Sequence, residues 1–170
     1  MKPHVFLTGE KGVGKSTIIC RLLDECKESV GGFLTVKTNE VYNGCYSVHL
    51  LSVAEEEKPS EGNLLFFCGA PADNEKDSRF NRLGCKVLAK CNKAGLIVMD
   101  ELGPNEGEAV EFCQAVRNIL EGDIPVIGVL QKADSEFLRL VANHPKVKVI
   151  EVTTENRDDV LLRLKKSWID

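Results

Sequence analysis

Apolar residues along the chain recur in short blocks that alternate between strand-like and helix-like spacing. Runs rich in apolar residues at 3–8, 95–101, 125–130 and 147–152 predict strands, and the continuous apolar run at 95–101 is typical of a central parallel strand, whose two faces are both covered. The segments between them place apolar residues three and four positions apart, as one face of an amphipathic helix requires. This alternation predicts an α/β fold with a mostly parallel central sheet flanked by helices.

The predicted helical segments are 18–23, about 78–92, 106–120, 137–141 and a C-terminal helix that ends near Trp168. The clearest stripe belongs to the second of these, where one face carries Phe80, Leu83, Val87, Leu88 and Cys91. Each stripe is wide enough to cover part of a sheet face, so we expect a layer of helices on either side of the sheet.

Residues 33–68 depart from this alternation. Two β-rich runs, Phe33–Tyr42 and Cys45–Val53, flank Asn43-Gly44, a pair that is typical of a tight hairpin turn. A further apolar run, Leu64–Cys68, follows an acidic loop. We therefore predict a small antiparallel hairpin insert at about 33–68.

Two details of this insert carry their own predictions. The pair Gly31-Gly32 breaks the apolar pattern, so the strand is predicted to begin after it. His49 stands alone on the second strand, which favours a packed or hydrogen-bonded histidine over a catalytic one.

Length and charge narrow the class of protein. A chain of 170 residues suffices for one domain with a substantial core and is short for two, so we predict a single domain at 1–170. The 26 acidic and 22 basic residues give a net charge of -4, which shows no basic footprint for nucleic acid or an anionic membrane. Neither kind of partner is expected.

The sequence also predicts where the protein resides. No apolar run approaches the ~20 residues of a membrane-spanning helix, and the N-terminus lacks the pattern of a secretory signal. The seven cysteines are an odd number without a C-x-x-C pair, which fits neither a disulfide framework nor a zinc site. We expect a cytoplasmic protein in a reducing environment.

The first strand and the first helix enclose the segment GEKGVGKST, which matches the phosphate-binding pattern G-x-x-x-x-G-K-[ST] without a gap. Glycines let the backbone approach an oxyanion closely, and successive N–H groups at a helix N-terminus form an anion nest. We therefore predict that nucleotide phosphates are bound by the loop residues Gly9, Glu10, Lys11, Gly12, Val13, Gly14, Lys15, Ser16 and Thr17.

Within this phosphate loop, single residues have distinct predicted roles. Lys15 is expected to reach the β- and γ-phosphates, and Ser16 to place its hydroxyl on a magnesium ion (Mg²⁺), a hard cation that prefers oxygen ligands. Thr17 is expected to assist at the α-phosphate. Lys11 is as well explained as a solvated loop charge.

The strand predicted at 95–101 ends in two carboxylates, Asp100 and Glu101. Functional groups of a parallel sheet gather at the carboxyl ends of its strands, so both acids are expected beside the phosphate loop. Asp100 is the expected metal partner of that loop. Glu101 is the expected group that orients and polarises a water attacking the γ-phosphate.

Three further polar residues are candidates with alternatives. Arg79 stands near the start of a predicted helix, against the macrodipole preference, so it is either aimed at a phosphate, as the candidate transition-state arginine, or simply solvated. Asn156 and Arg157 follow the last predicted strand. They either contact the nucleoside or, for Asn156, cap the C-terminal helix.

The segments HVFLTGEKGVGKST, GGFLT, RFNRLG, VMDELG, IPVIGVL and VKVIEVTTENR, in this order, resemble the small nucleoside-triphosphatases of the THEP type, the group that includes the cancer-related nucleoside-triphosphatase. The resemblance implies a RecA-like P-loop NTPase fold and magnesium-dependent hydrolysis of ATP, GTP and other nucleoside triphosphates. It also implies nucleotide-binding, metal-binding and hydrolytic roles for Lys15, Ser16, Asp100 and Glu101.

The chain departs from this family at one informative place. The family commonly continues D-E-I-G-K-M-E-L, whereas this sequence has D-E-L-G-P-N-E-G at 100–107. Pro104 stands where the lysine is expected, so any charge that the lysine lends to the transition state is missing. The hairpin insert is also shorter and less basic than the family pattern leads us to expect.

Other functions remain open at this point. A base-specific GTPase is suggested by D-x-x-G at 100–103 and by Gln131-Lys132-Ala133-Asp134, one residue away from the guanine-reading N-K-x-D. A small-molecule or nucleotide kinase shares the length and the phosphate loop, although the chain shows no arginine-rich lid. A nucleotide-dependent switch with slow hydrolysis is the non-enzymatic alternative.

Overall fold

The structure is a computed structural model that describes residues 2–42, 45–71 and 73–169. Its strands are β1 (His4–Thr8), β2 (Val30–Tyr42), β3 (Cys45–Ser52), β4 (Leu64–Cys68), β5 (Leu96–Leu102), β6 (Val126–Leu130) and β7 (Val147–Glu151). Its helices are α1 (Lys15–Glu25), α2 (Lys76–Arg79), α3 (Cys85–Ala89), α4 (Val110–Glu121), α5 (Glu136–Ala142) and α6 (Arg157–Trp168).

These described residues form one seven-stranded sheet in the order β4-β3-β2-β5-β6-β1-β7. The strands β2, β5, β6, β1 and β7 run parallel, and β3 and β4 extend the sheet with antiparallel pairings. This confirms the predicted α/β class with a mostly parallel sheet. Because β6 lies between β5 and β1, the strand that carries the two acids is separated from the strand that leads into the phosphate loop.

The core lies on both faces of the sheet, and the strand pleat decides which residue faces which side. Ile97 and Met99 of β5 pack in one cluster with residues of α3, α4 and α5. Leu96 and Val98 pack in a second cluster with residues of α1 and α6. The central strands are therefore covered by helices on both faces, which explains their continuous apolar sequence.

The prediction that Gly31-Gly32 precedes the strand is wrong, because both glycines lie inside β2. Gly32 has a φ of +99°, and a Cβ placed on it would lie 1.9 Å from the carbonyl oxygen of Val98. A side chain would thus collide with the neighbouring strand β5, which pairs with β2 at this point. Gly32 therefore marks close contact between two strands and not a strand boundary.

Two predicted helices also have different bounds. The segment predicted at 78–92 begins at Lys76 and includes a π-helical turn, Phe80–Gly84, between α2 and α3. The segment predicted from Glu106 begins as α4 at Val110, because Pro104–Glu106 forms a separate 3₁₀ turn. The apolar stripes themselves are confirmed as buried or partly buried core.

The predicted turn at Asn43-Gly44 lies outside the described residues. His49 on β3 is 6% exposed, and its ring nitrogens make hydrogen bonds to Asn63 Oδ1 (2.8 Å) and Ser47 Oγ (2.9 Å). This confirms a packed, hydrogen-bonded histidine. In the part of the chain that the structure describes, no helix has the length and apolar character needed to cross a membrane.

Candidate active site

The carboxyl ends of β1, β5 and β6 meet at one edge of the sheet. The phosphate loop leaves β1 there, Asp100 and Glu101 end β5, and Gln131 follows β6 directly. Parallel strands present their functional groups at this edge, so residues that are distant along the chain become neighbours. This edge is therefore the candidate active site.

The phosphate loop has the backbone that its glycines were predicted to supply. Gly9, Gly12 and Gly14 have φ values of +140°, +78° and +106°. A Cβ on Gly9 would lie 2.4 Å from the carbonyl oxygen of Val152, so a side chain is excluded at the start of the loop. Helix α1 begins at Lys15, directly after Gly14, and directs its N-terminal amides toward the loop.

Lys15 closes this loop on itself. Its Nζ donates to the carbonyl oxygens of Gly9 (2.7 Å) and Glu10 (2.6 Å). The ammonium group therefore lies at the loop backbone, where it adds positive charge to the amide nest. Its contact with the β- and γ-phosphates stays a prediction of the sequence motif.

Ser16 and Asp100 are brought into contact across 84 residues of sequence. The Ser16 hydroxyl donates to Asp100 Oδ1 at 3.3 Å, and Asp100 is 7% exposed. Burial raises the pKa of Asp100 to about 6, and the charge of Glu101 adds to this increase. The hydrogen bond from Ser16 and the charge of Lys15 act in the opposite direction. A buried carboxylate with only partial compensation is a suitable oxygen ligand for a hard cation.

The backbone between the two acids is held by the neighbouring strand β2. The peptide bond from Asp100 to Glu101 is cis. The Thr35 hydroxyl donates to the carbonyl oxygen of Asp100 (3.3 Å) and accepts from the N–H of Glu101 (3.2 Å). A single hydroxyl thus fixes both polar groups of the segment that carries the acids.

The side chain of Glu101 is held from the other side, by β6. Gln131 Nε2 donates to Glu101 Oε1 at 2.6 Å. Glu101 is half-buried. Sequence analysis missed both Gln131 and Thr35 as partners of the acids, since neither stands in a phosphate-site motif.

The loop that follows the acids contains a second buried carboxyl group, Glu106, which is 5% exposed. Its Oε2 accepts from the N–H of Gly103 at 2.9 Å. Burial raises the pKa of Glu106 to about 8; its backbone hydrogen bonds oppose this increase, while the charge of Glu101 adds to it. Close by, Lys76 Nζ lies 3.5 Å from Asn105 Oδ1, next to the position where Pro104 replaces the expected lysine.

Arg79 is engaged away from the phosphate loop. Its guanidinium donates to the carbonyl oxygen of Leu65 and to the carboxylates of Asp73 and Glu75. It is the last residue of α2, which begins at Lys76. Its role at a phosphate stays a prediction that these contacts do not support.

The two candidates after β7 are placed differently. The Asn156 side chain turns back on its own loop, where it accepts from the N–H of Thr153 (2.7 Å) and donates to the carbonyl oxygen of Glu151 (2.9 Å). Asn156 occupies the N-cap position of α6, but its side chain makes no capping bond, which corrects that expectation. Arg157 lies against the phosphate loop, with its Cδ 3.5 Å from where a Cβ on Gly14 would be.

The segment that resembles the guanine-reading motif is committed to other contacts. Gln131 contacts Glu101, and Asp134 forms an ion pair with Arg139. Lys132 Nζ lies 3.2 Å from Glu10 Oε1 in the phosphate loop and 3.1 Å from Glu151 Oε1. Gln131, Lys132 and Asp134 thus contact β5, the phosphate loop and helix α5, respectively.

Comparisons with known proteins place this geometry in context. The sequence matches the protein family described as NTPase over residues 4–164. It is similar to the cancer-related nucleoside-triphosphatase homolog of Bos taurus, with 32% identity over 185 residues that cover 95% of this chain and 94% of that protein. It is also similar to the nucleoside-triphosphatase THEP1 of Thermotoga maritima, with 27% identity over 92% of this chain and 90% of that protein.

A solved structure supports the fold independently. The crystal structure of THEP1 from the hyperthermophile Aquifex aeolicus superposes with a TM-score of 0.77 over 98% of this chain and 99% of that chain. The two sequences are 21% identical, so this likeness bears on the fold alone. It agrees with the predicted P-loop NTPase architecture.

Proposed function

The chain belongs to the NTPase family of nucleoside-triphosphate-hydrolysing enzymes, and we propose that it acts with magnesium, with little selection among bases, and through water activated by Glu101. The reaction adds water to the γ-phosphorus of a nucleoside triphosphate such as ATP or GTP. The bond from that phosphorus to the β–γ bridging oxygen breaks, which gives a nucleoside diphosphate and inorganic phosphate.

One observation carries this proposal: the loop residue Ser16 touches Asp100, and Glu101 follows Asp100 at the same sheet edge. The phosphate cradle and the half-buried residue Glu101 therefore lie on adjoining positions. In-line attack requires that arrangement, because the water must approach the phosphorus from the side opposite to the leaving oxygen.

The residues around the cradle suit a magnesium ion. The oxygen atoms Ser16 Oγ and Asp100 Oδ1 lie 3.3 Å apart, and this hard cation prefers oxygen ligands. When bound, the ion would neutralise charge on the β- and γ-phosphate oxygens. Lys15 and the loop amides would add positive charge at the same oxygens. We propose that these groups stabilise the negative charge of the transition state. Arg79 does not take part, because its guanidinium is bound to Asp73 and Glu75.

Glu101 is the proposed group that orients the water and receives its proton during attack. Its carboxylate is half-buried at the carboxyl end of β5, and one of its oxygens is held by Gln131. A carboxylate with a fixed orientation holds a water more effectively than one that rotates freely.

Weak base selection is supported by what surrounds the nucleoside side of the loop. Arg157 lies against Gly14, and a guanidinium can stack on the face of any base. Asp134, which would read guanine in a GTPase, is paired with Arg139 on α5. We propose that Arg157 contacts the nucleotide without distinguishing the bases, while Asn156 shapes the loop that presents it.

The experiment is a phosphate-release assay with ATP, GTP, CTP and UTP in parallel, with and without Mg²⁺, on the parent protein and on Asp134→Ala. We expect hydrolysis of all four to agree within about tenfold, to require Mg²⁺ and to be unchanged in the variant. A strong preference for GTP that Asp134→Ala abolishes would show a base-specific GTPase. With a candidate acceptor added, formation of nucleoside diphosphate without a matching release of inorganic phosphate would show a kinase, because the phosphoryl group is then on the acceptor.

A further inference from the structure

We propose that Gln131 is a positioning residue for hydrolysis, whose side-chain amide holds the carboxylate of Glu101 in the orientation that attack requires. This inference rests on the proposed function of Glu101. It assigns a role to the part of the chain that resembles a guanine-reading motif but makes different contacts.

The position of Gln131 follows from the strand order. It is the first residue after β6, the strand between β5 and β1. Its backbone N–H donates to the carbonyl oxygen of Leu102 at 2.9 Å, which ties it to the strand that carries the acids. Its side chain therefore starts beside Glu101 before any side-chain bond is made.

The side-chain contact is short and charge-assisted. Gln131 Nε2 donates to Glu101 Oε1 at 2.6 Å, slightly shorter than the ~2.7 Å lower end of N–H···O hydrogen bonds, and bonds to a carboxylate lie at the short end of that range. The amide is neutral, so it fixes the carboxylate without neutralising it by a cation. That combination suits a carboxylate that must both stay in place and accept a proton.

The path of the Gln131 side chain is enclosed by the turn after β5. A Cβ placed on Gly103 would lie 2.8 Å from both Cδ and Nε2 of Gln131. The amide thus lies flat over a residue that has no side chain. The extra methylene that separates Gln131 from the usual asparagine of a guanine-reading motif gives the amide this reach.

The neighbouring strand β2 completes the arrangement. Thr35 holds the peptide backbone between Asp100 and Glu101, and Gln131 holds the side chain of Glu101. Backbone and side chain are thereby fixed from opposite neighbours of β5. Holding a reacting group from two sides is what near-attack geometry requires, since small displacements reduce the rate strongly.

The test compares Gln131→Met, which keeps the length and removes the donor, with Gln131→Glu, which keeps the shape and replaces the donor by a carboxylate. Gln114→Met is the matched control, because Gln114 is an exposed glutamine whose amide donates to Asn118 on the same helix. Phosphate release with ATP and Mg²⁺ gives kcat and KM. Equilibrium binding of a non-hydrolysable ATP analogue gives affinity, and thermal unfolding reports the fold.

We expect both Gln131 variants to lower kcat by about 10- to 100-fold, as misplacement of a reacting group does. Affinity for the analogue should stay within about twofold of the parent, because the contact acts on the reacting carboxylate and not on the bound phosphates. The control should match the parent. In a Glu101→Gln background, Gln131→Met should cause no further fall in the residual rate.

Parental kcat in both Gln131 variants would overturn the inference. A fall in affinity that matches the fall in kcat would also overturn it, because Gln131 would then act on nucleotide binding. An equal loss of rate in the Glu101→Gln background would show that Gln131 does not act through Glu101. Failure of both variants to fold would give Gln131 a structural role. If only Gln131→Met fails to fold, Gln131→Glu decides. Parental activity in Glu101→Gln alone would instead contradict the proposed function itself.

Discussion

At the amino edge of the sheet, His4 is 2% exposed, and at the carboxyl edge Asp100 is 7% exposed. The His4 ring spans two elements: Nε2 lies 2.9 Å from the carbonyl oxygen of Leu120, and Nδ1 accepts from the N–H of Val126 at 3.2 Å. Burial lowers the pKa of His4, which fits a neutral ring with one donor and one acceptor. Asp100 instead meets a hydroxyl of the phosphate loop and lies beside a second carboxylate, Glu101.

The difference shows that depth of burial alone does not identify a functional residue. His4 is the more deeply buried of the two, but its partners are backbone groups of its own scaffold. Asp100 is buried beside the charge of Glu101, and the Ser16 hydroxyl compensates for this only in part. Such an arrangement costs stability and is worthwhile only where a cation or a reaction uses it. Substitutions at the carboxyl edge should therefore change activity, and those at the amino edge should change stability.

The largest effect is expected for Lys15→Ala. Loss of the ammonium at the phosphate loop should lower kcat/KM by at least about 100-fold, as removal of one oxyanion donor does. Nucleotide affinity should fall as well, because Lys15 is proposed to bind the phosphates in the ground state. Phosphate release and calorimetric nucleotide binding measure both. Tight nucleotide binding retained by this variant would contradict the role of Lys15.

The next effect is expected for His4→Leu at the amino edge. It leaves the carbonyl oxygen of Leu120 and the N–H of Val126 buried without this partner, so stability should fall by about 2–4 kcal/mol. Denaturant unfolding measures the loss. The folded fraction should keep the parental activity per molecule. A variant that is as stable as the parent but inactive would contradict a purely structural role for His4.

His4 also gives a pH dependence to the parent protein. Its folded pKa lies below the unfolded value of 6.5, so the unfolded chain binds the proton more tightly. Stability should therefore decline as the pH falls below 6.5, and His4→Leu should lack this contribution.

The smallest effect is expected for Glu106→Gln. Glu106 lies near the carboxyl edge, and its carboxyl group accepts from the backbone N–H of Gly103. The folded pKa of about 8 exceeds the unfolded value of 4.5, so the folded chain holds the proton more tightly over that interval. Stability of the parent should fall by about 1.4 kcal/mol per pH unit from pH 6 to 7 and less steeply as the pH approaches 8, and the variant should lack this slope. Denaturant unfolding at several pH values measures it.

Glu108→Gln is the matched control for that measurement, because Glu108 is an exposed acid in the same loop. It should keep the parental slope. In Glu106→Gln, the oxygen of the new side-chain amide can still accept from the N–H of Gly103, so that variant should fold. An unchanged slope in Glu106→Gln would show that the parental carboxyl group is ionised in the folded protein.

The parts of the site that the sequence predicts are those written in contiguous residues. The phosphate loop and the strand that ends in Asp100 and Glu101 are local patterns with a physical meaning, so their positions could be predicted. The partners of Glu101 could not. Gln131 is 30 residues away and Thr35 is 66 residues from the N–H that it holds, and they become neighbours only because β6 and β2 flank β5.

Gly32 shows the same limit within the fold. From the sequence alone, a glycine pair predicts the end of a strand. In the structure, Gly32 lies within β2, and a side chain there would collide with Val98 on another strand. Local sequence patterns predict a helix or strand well where burial of its own apolar face determines its structure. They fail where strand order brings a distant backbone or side chain within a few ångströms.

The Glu101→Gln variant tests whether Glu101 activates the attacking water. Single-turnover phosphate release with ATP and Mg²⁺ should fall by at least about 100-fold in this variant, because the amide cannot accept the proton of the water. Affinity for ATP, measured with the same protein, should equal that of the parent. Phosphate release at the parental rate would show that Glu101 does not activate the water.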